Sequence, residues 1–178
     1  MRKAETKRFW RNFGGMAALL WGLGGCSFFT TVEVKPSECV NPRTGDCSGA
    51  ANESRLLEVR LYQLKQSIDP CQLDLDAFAA GKDLDLLKSA LVESQRSDAL
   101  RWVFKVAANE PRNLGSWEIM RETQYVLAVA IGRGKSKNSV RLIPLARMKS
   151  GHFPTLHIKG YDICLEHPCE VNMEAQCQ

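Results

Sequence analysis

Apolar and polar positions alternate with a period of two over most of the chain. Leu57, Val59 and Leu61 alternate with Glu58 and Arg60, as in a strand with one buried face. Thr30 to Lys35 (TTVEVK) reads as a short β-branched strand, and the Pro-, Asn-, Gly-, Ser- and Asp-rich stretch from Pro36 to Ser54 as a loop. Alternation returns at Leu100, Trp102, Phe104 and Val106, with Arg101 and Lys105 on the other face. A turn at Asn109 to Asn113 leads to a weaker strand, Leu114 to Ile119. Tyr125 to Ile131 (YVLAVAI) is apolar throughout, with Leu127, Val129 and Ile131 on one face and the smaller Ala128 and Ala130 on the other. That is a central strand between the core and a covering element. Val140 to Leu145 and Leu156 to Leu165 complete the strands; the second changes parity at Gly160, as at a bulge or tight bend. The pattern turns helical only after Pro70. Leu75, Phe78 and Ala79, then Leu84, Leu87 and Leu91, recur at helical spacing in two pieces split by Gly81. Asp74 and Asp83 stand where N-caps belong. Short strands with frequent turns, no internal repeat and one helical insertion predict an all-β two-sheet β-sandwich with a small helical insertion.

The N-terminus follows a different pattern. Arg2, Lys3, Lys7, Arg8 and Arg11 precede an apolar run that ends in Leu23-Gly24-Gly25-Cys26, the layout of a secretory signal peptide. The run is too short and glycine-interrupted to serve as a helical membrane domain. It also accounts for the net charge. Of 24 basic and 20 acidic residues, five basic and one acidic precede residue 26, leaving 19 of each. A neutral mature chain gives no electrostatic case for nucleic acid as a partner. Leu23 to Cys26 resembles a bacterial lipobox. That resemblance implies cleavage before Cys26, covalent lipid on its thiol, and anchoring through acyl chains without a spanning helix. Ser27, where such lipoproteins retained in the inner membrane carry Asp, points to the periplasmic face of the outer membrane. The expected organisation is a signal peptide over residues 1–25, a tether over 26–29 and a sandwich over 30–165 with its insertion at about 72–91. A cysteine-containing tail, 166–178, follows.

With Cys26 lipidated, Cys39, Cys47, Cys71, Cys164, Cys169 and Cys177 remain. An even number in an exported domain predicts disulfides, up to about three with about 15 possible connectivities. Cys39 with Cys47 is the natural local pair; the others stay open. Cys164 and Cys169 flank His167 but lack the paired spacing of a zinc site. No catalytic constellation emerges either. The three histidines, His152, His157 and His167, accompany neither G-x-S-x-G nor H-E-x-x-H. Gly132-Arg-Gly-Lys-Ser lacks P-loop spacing and reads as a hairpin turn. Asp74, Asp76, Asp83 and Asp85 lack EF-hand order. The reading is of a protein that is no enzyme, with no metal, no cofactor beyond the lipid and no small-molecule substrate.

Particular residues carry a family resemblance. The run VRLYQLK (Val59 to Lys65), followed by a helical insert, resembles the signature of the type VI secretion outer-membrane lipoprotein family, TssJ. Asn41-Pro42 in the preceding loop, Tyr125-Val126 opening a strand and Ile143-Pro144-Leu145 closing the next agree in order. The resemblance implies a transthyretin-like sandwich. It also implies a role in the secretion membrane complex, binding the periplasmic C-terminal region of TssM, which itself partners TssL. In that family the loop between the first two strands contributes to the contact. By position it is here Pro36 to Ser54, with Asn41, Pro42, Arg43, Thr44, Gly45 and Asp46 between Cys39 and Cys47. A pilotin-like or a ligand-binding periplasmic lipoprotein remain the alternatives.

Overall fold

The computed structural model describes residues 27–42, 47, 55–93, 100–134, 139–147 and 152–165. The leader, Cys26, the loop tip from Arg43 to Asp46, Cys169, Cys177 and the rest of the tail 166–178 lie outside the described residues. Eight strands are described: β1 (Phe28–Val40), β2 (Leu57–Leu64), β3 (Arg101–Val106), β4 (Arg112–Ile119), β5 (Tyr125–Ile131), β6 (Val140–Pro144), β7 (Leu156–Gly160) and β8 (Asp162–Cys164). Two short helices, α1 (Leu75–Ala79) and α2 (Asp83–Leu87), lie between β2 and β3. The strands form two four-stranded sheets, β4-β1-β7-β8 and β3-β2-β5-β6. The two-sheet all-β sandwich with a helical insertion is the architecture that the periodicity predicts.

The parity of β2 divides its side chains between two apolar clusters. Leu57, Val59 and Leu61 point between the sheets, where they join Val32, Val34, Val126, Ala128, Ile143 and Ile158. Tyr62 and Leu64 point the other way, onto Phe78, Leu87, Ala90 and Leu91 of the insertion. β5 follows the same rule. Its small Ala128 and Ala130 face the opposite sheet, while Leu127 and Val129 face the insertion. Its all-apolar sequence thus reflects two covered faces. Between the sheets, the rings of Trp102 and Trp117 stand 5.8 Å apart and those of Trp117 and Phe153 6.4 Å apart.

Two buried polar side chains, Gln63 of β2 and Asp83 of α2, tie these layers together. Gln63 is fully buried. Its Nε2 donates to the Glu118 carbonyl at 2.8 Å, and its Oε1 accepts from the Met120 amide and the Thr123 hydroxyl at 2.7 and 2.6 Å. One amide thereby fixes the end of β4, in the other sheet, against β2. Asp83 serves the insertion. Its buried carboxylate accepts from the Tyr62 hydroxyl at 2.5 Å and the Arg101 guanidinium at 2.9 Å, with Arg60 3.3 Å away. The same Arg60 donates to the Phe78 carbonyl at 2.9 Å. Helices of five residues do not persist alone. This ion cluster and the apolar face hold them in place.

Three local expectations need correction. Asp74 does cap α1, accepting from the Asp76 and Ala77 amides, but Asp83 caps nothing. Lys82 occupies the N-cap of α2, without a side-chain bond, and Asp83 turns inward to its cations. β1 does not stop at Lys35 but runs on to Val40. Pro36 is tolerated because pairing with β4 ends at Val34, so its missing N–H is not needed on that side. The register with β7 then shifts between Pro36 and Val40. Finally, Leu156 to Leu165 is a hairpin rather than a bent strand. Lys159 pairs with Asp162 across a two-residue turn, Gly160-Tyr161, with Gly160 at φ +64°. A glycine leading the turn is what a type II′ hairpin favours.

Burial alone would raise the Asp83 carboxyl, but the Tyr62 hydroxyl and the Arg101 and Arg60 cations outweigh it and hold the group below its usual value. The stability it contributes is therefore complete above the unfolded value, near pH ~4, and is lost as pH falls through the lower folded value. Asp83→Asn is expected to cost about 3 kcal/mol at neutral pH, the low end for a buried ion pair because Arg101 is partly exposed. That gap should narrow on acidification when both proteins are unfolded in urea at neutral and acidic pH.

Candidate functional site

The loop between β1 and β2 closes on itself at its base. Cys39 and Cys47 form a disulfide, with Cα atoms 5.8 Å apart, as the local pairing predicts. Cys71 and Cys164 are disulfide-bonded as well. Between the first two cysteines the chain turns at Asn41, whose φ of +49° is one that asparagine accepts more readily than most residues. Asn41 is buried and polar, and its backbone amide and both side-chain polar atoms have partners. Its amide donates to the Gly160 carbonyl at 2.9 Å. Its Nδ2 donates to the Leu56 carbonyl at 2.7 Å, and its Oδ1 accepts from the Arg133 amide at 3.2 Å. One side chain thus connects the entry of the loop, its exit and the turn between β5 and β6.

Pro42 is fixed next. Its carbonyl accepts from the buried Tyr161 hydroxyl at 2.7 Å. The ring of Tyr161 lies under the β5–β6 turn so closely that glycine is required there. A Cβ on Gly132 would stand 2.8 Å from the ring and from Asn41 Oδ1, and one on Gly134 2.4 Å from the ring. At Gly160 the virtual Cβ is 3.6 Å from Cys47 Sγ, so the disulfide sits beside the β7–β8 turn. Behind this end, Arg141 of β6 donates to the Ile163 carbonyl of β8 at 2.7 Å. Burial lowers its basicity, partly offset by Asp162.

Of the six loop residues singled out in the sequence, Asn41 and Pro42 belong to this base, while Arg43, Thr44, Gly45 and Asp46 lie outside the described residues. Tyr161, Gly132, Gly134 and Gly160 were not singled out as site residues. The signal they left was glycines bracketing short turns, which reads as turn chemistry and does not reveal which aromatic ring the glycines accommodate. Of the acidic quartet, Asp74 caps α1, Asp83 lies inside its cation cluster, and Asp76 and Asp85 stand in the first turns of α1 and α2. Among the described residues no group of His, Cys, Asp and Glu is arranged to hold a metal ion.

The opposite end of β1 is also secured. Phe28 pairs with Ile119, and the Ser27 hydroxyl donates to Glu118 at 2.7 Å. Regular structure therefore begins two residues after Cys26, and Phe29 is exposed. Thirteen residues of strand separate this point from Val40, up to about 40 Å at strand rise. The two ends of β1 are the two ends of the sandwich. No helix among the described residues is long and apolar enough to cross a membrane.

No protein-family model matches this chain, and no curated protein matches its sequence. Solved structures do share its fold. The type VI secretion lipoprotein TssJ1 from Pseudomonas aeruginosa superposes with a TM-score of 0.55 at 19% identity, over 75% of this chain and 89% of that one. A chain of a type VI membrane complex gives 0.60 at 13% identity, over 78% and 97%. Serratia marcescens Lip, a membrane-bound component of the type VI secretion system, gives 0.55 at 13% identity, over 76% and 94%. At such identities the likeness is one of architecture: the chain has the TssJ-type fold.

Proposed function

We propose that this chain is a lipid-anchored component of a type VI secretion membrane complex. In this reading acyl chains on Cys26 seat it in the periplasmic face of the outer membrane, and the loop holding residues 41–46 binds the periplasmic C-terminal region of TssM, with TssL in the same assembly. Its work is mechanical rather than catalytic. The observation that carries the reading is the pinned loop base at the end of β1 opposite Ser27, within a TssJ-type fold. A loop whose entry, exit and disulfide are already fixed loses little conformational entropy on docking. Arg43 and Asp46 offer charged groups for the rim of a contact. At the other end, several acyl chains at ~0.8 kcal/mol per buried CH₂ resist extraction far better than one would.

Two outcomes are expected. Cells fed a fatty-acid probe should label the wild-type protein and not Cys26→Ala; label persisting in the variant removes the anchor. Purified mature domain should associate with a TssM C-terminal fragment. Replacing residues 41–46 by Gly and Ser should weaken that association at least about tenfold, or about 1.4 kcal/mol, with the thermal unfolding midpoint little changed. Undiminished binding would move the contact elsewhere.

A further inference from the structure

We propose that the sandwich is seated directly on the lipid leaflet, with Phe29 buried in the membrane interface close to the acylated Cys26. This inference deepens the anchoring reading above and rests on it.

The chain leaves no length for a tether. The Ser27 hydroxyl donates to Glu118 at 2.7 Å, Phe28 pairs with Ile119, and Phe29 pairs with Glu118. Phe28 also packs against the core between the sheets. Fixed structure therefore begins at the residue that follows Cys26. Phe29 is three residues from Cys26, at most about 11 Å along a fully extended chain. Acyl chains inserted from Cys26 bring this end of β1 down to the headgroups.

What this end presents suits that position. The exposed positions along the outer face of β1 are Phe29, Thr31, Glu33 and Lys35. The last three are polar, and Glu33 and Lys35 pair at 3.6 Å. The aromatic one stands nearest the anchor. It is 65% exposed, more than Leu56, Leu86 or Val103, the other exposed large hydrophobics among the described residues. A single exposed apolar side chain is ordinary on a protein surface; this one is set apart by being within reach of a bilayer. There its ring exchanges water for the boundary between headgroups and acyl chains. The β4–β5 connection lies at the same end, held by Gln63 through the Met120 amide and the Thr123 hydroxyl. It exposes one cation and one anion, Arg121 and Glu122, so its charges offset each other. The contact is thus apolar, and zwitterionic lipid suffices for it. Because a paired strand carries Phe29, its insertion sets how β1 stands on the leaflet.

The test uses the full mature chain, purified from cells and reconstituted in phosphatidylcholine vesicles, with acylation of Cys26 checked by mass spectrometry. Two variants, Phe29→Trp and Lys35→Trp, place a fluorophore six residues apart on one face, about 20 Å at strand rise. Their emission is compared with that of the unsubstituted mature chain, which carries Trp102 and Trp117. The inference predicts that emission added at position 29 is blue-shifted. It should fall at least roughly twofold when the acyl chains are brominated, since interfacial apolar groups reach about 5–10 Å into that boundary. Emission added at position 35 should be the same in both lipids. An acylated chain with no quenching at 29 overturns the inference and leaves the anchor standing. A blue shift at 29 without quenching assigns the ring to a protein cover, a second copy or a partner, and overturns it. Equal quenching at 29 and 35 lays the whole outer face on the lipid and overturns it as well. If Cys26 carries no lipid, the anchoring reading and this inference fall together.

Discussion

One strand sets the layout of this molecule. β1 starts two residues after Cys26, ends at the disulfide-closed loop, and is bonded from Phe28 to Val34 by β4 in antiparallel fashion and from Val34 to Val40 by β7 in parallel fashion. Each neighbour holds one end of it, β4 the end at Phe28 and β7 the end at Val40, and the two pairings meet at Val34. Because it is already extended, near the limit of about 3.3–3.6 Å per residue, a pull between Ser27 and Val40 has little slack to take up. Tension between these points runs along covalent backbone and does not need to shear one sheet from the other. A domain that joins a bilayer to a protein benefits from having both attachments on the same strand.

The rest of the sandwich keeps that strand in place and shapes its far end. Two buried polar groups do so on opposite faces of β2, Gln63 from the strand itself and Asp83 from α2. Gln63 locks the end of β4 to the neighbouring sheet, next to the point where β1 begins. Asp83, reached from β2 by Tyr62 and Arg60 and from β3 by Arg101, keeps the insertion on its apolar bed. At the other end Asn41 and Tyr161 draw three turns together. Each of these groups satisfies buried donors and acceptors that would otherwise cost on the order of 1–3 kcal/mol apiece, and so converts loops into fixed surfaces.

Much of this architecture was legible in the sequence, because strands with one buried face announce themselves by alternation. Leu57 to Leu61, Trp102 to Val106 and the two-faced Tyr125 to Ile131 fall where their patterns put them, and the Cys39–Cys47 bridge follows from nearness in sequence. What escaped was nonlocal. Asp83 before Leu84 and Leu87 has the same local signature whether it caps a helix or enters a cation cluster; Tyr62 and Arg101, 21 and 18 residues away, decide. Pro36 to Val40 reads as loop by composition, yet β7, more than a hundred residues later, pairs with it. A change of parity at Gly160 fits a bulge as well as a two-residue hairpin. Tyr161, at the centre of the loop base, was hidden for the same reason, since only the folded chain brings it under Gly132 and Gly134.

The central claim is polarity: membrane at one end of β1, partner at the other. It is tested most directly in intact cells carrying a photo-crosslinking amino acid either at Thr44, in the loop tip, or at Arg121, in the β4–β5 connection beside Ser27. Covalent capture of TssM from position 44 and not from position 121 is the result the account predicts. Capture from 121 with none from 44 would put the partner at the membrane end and contradict it.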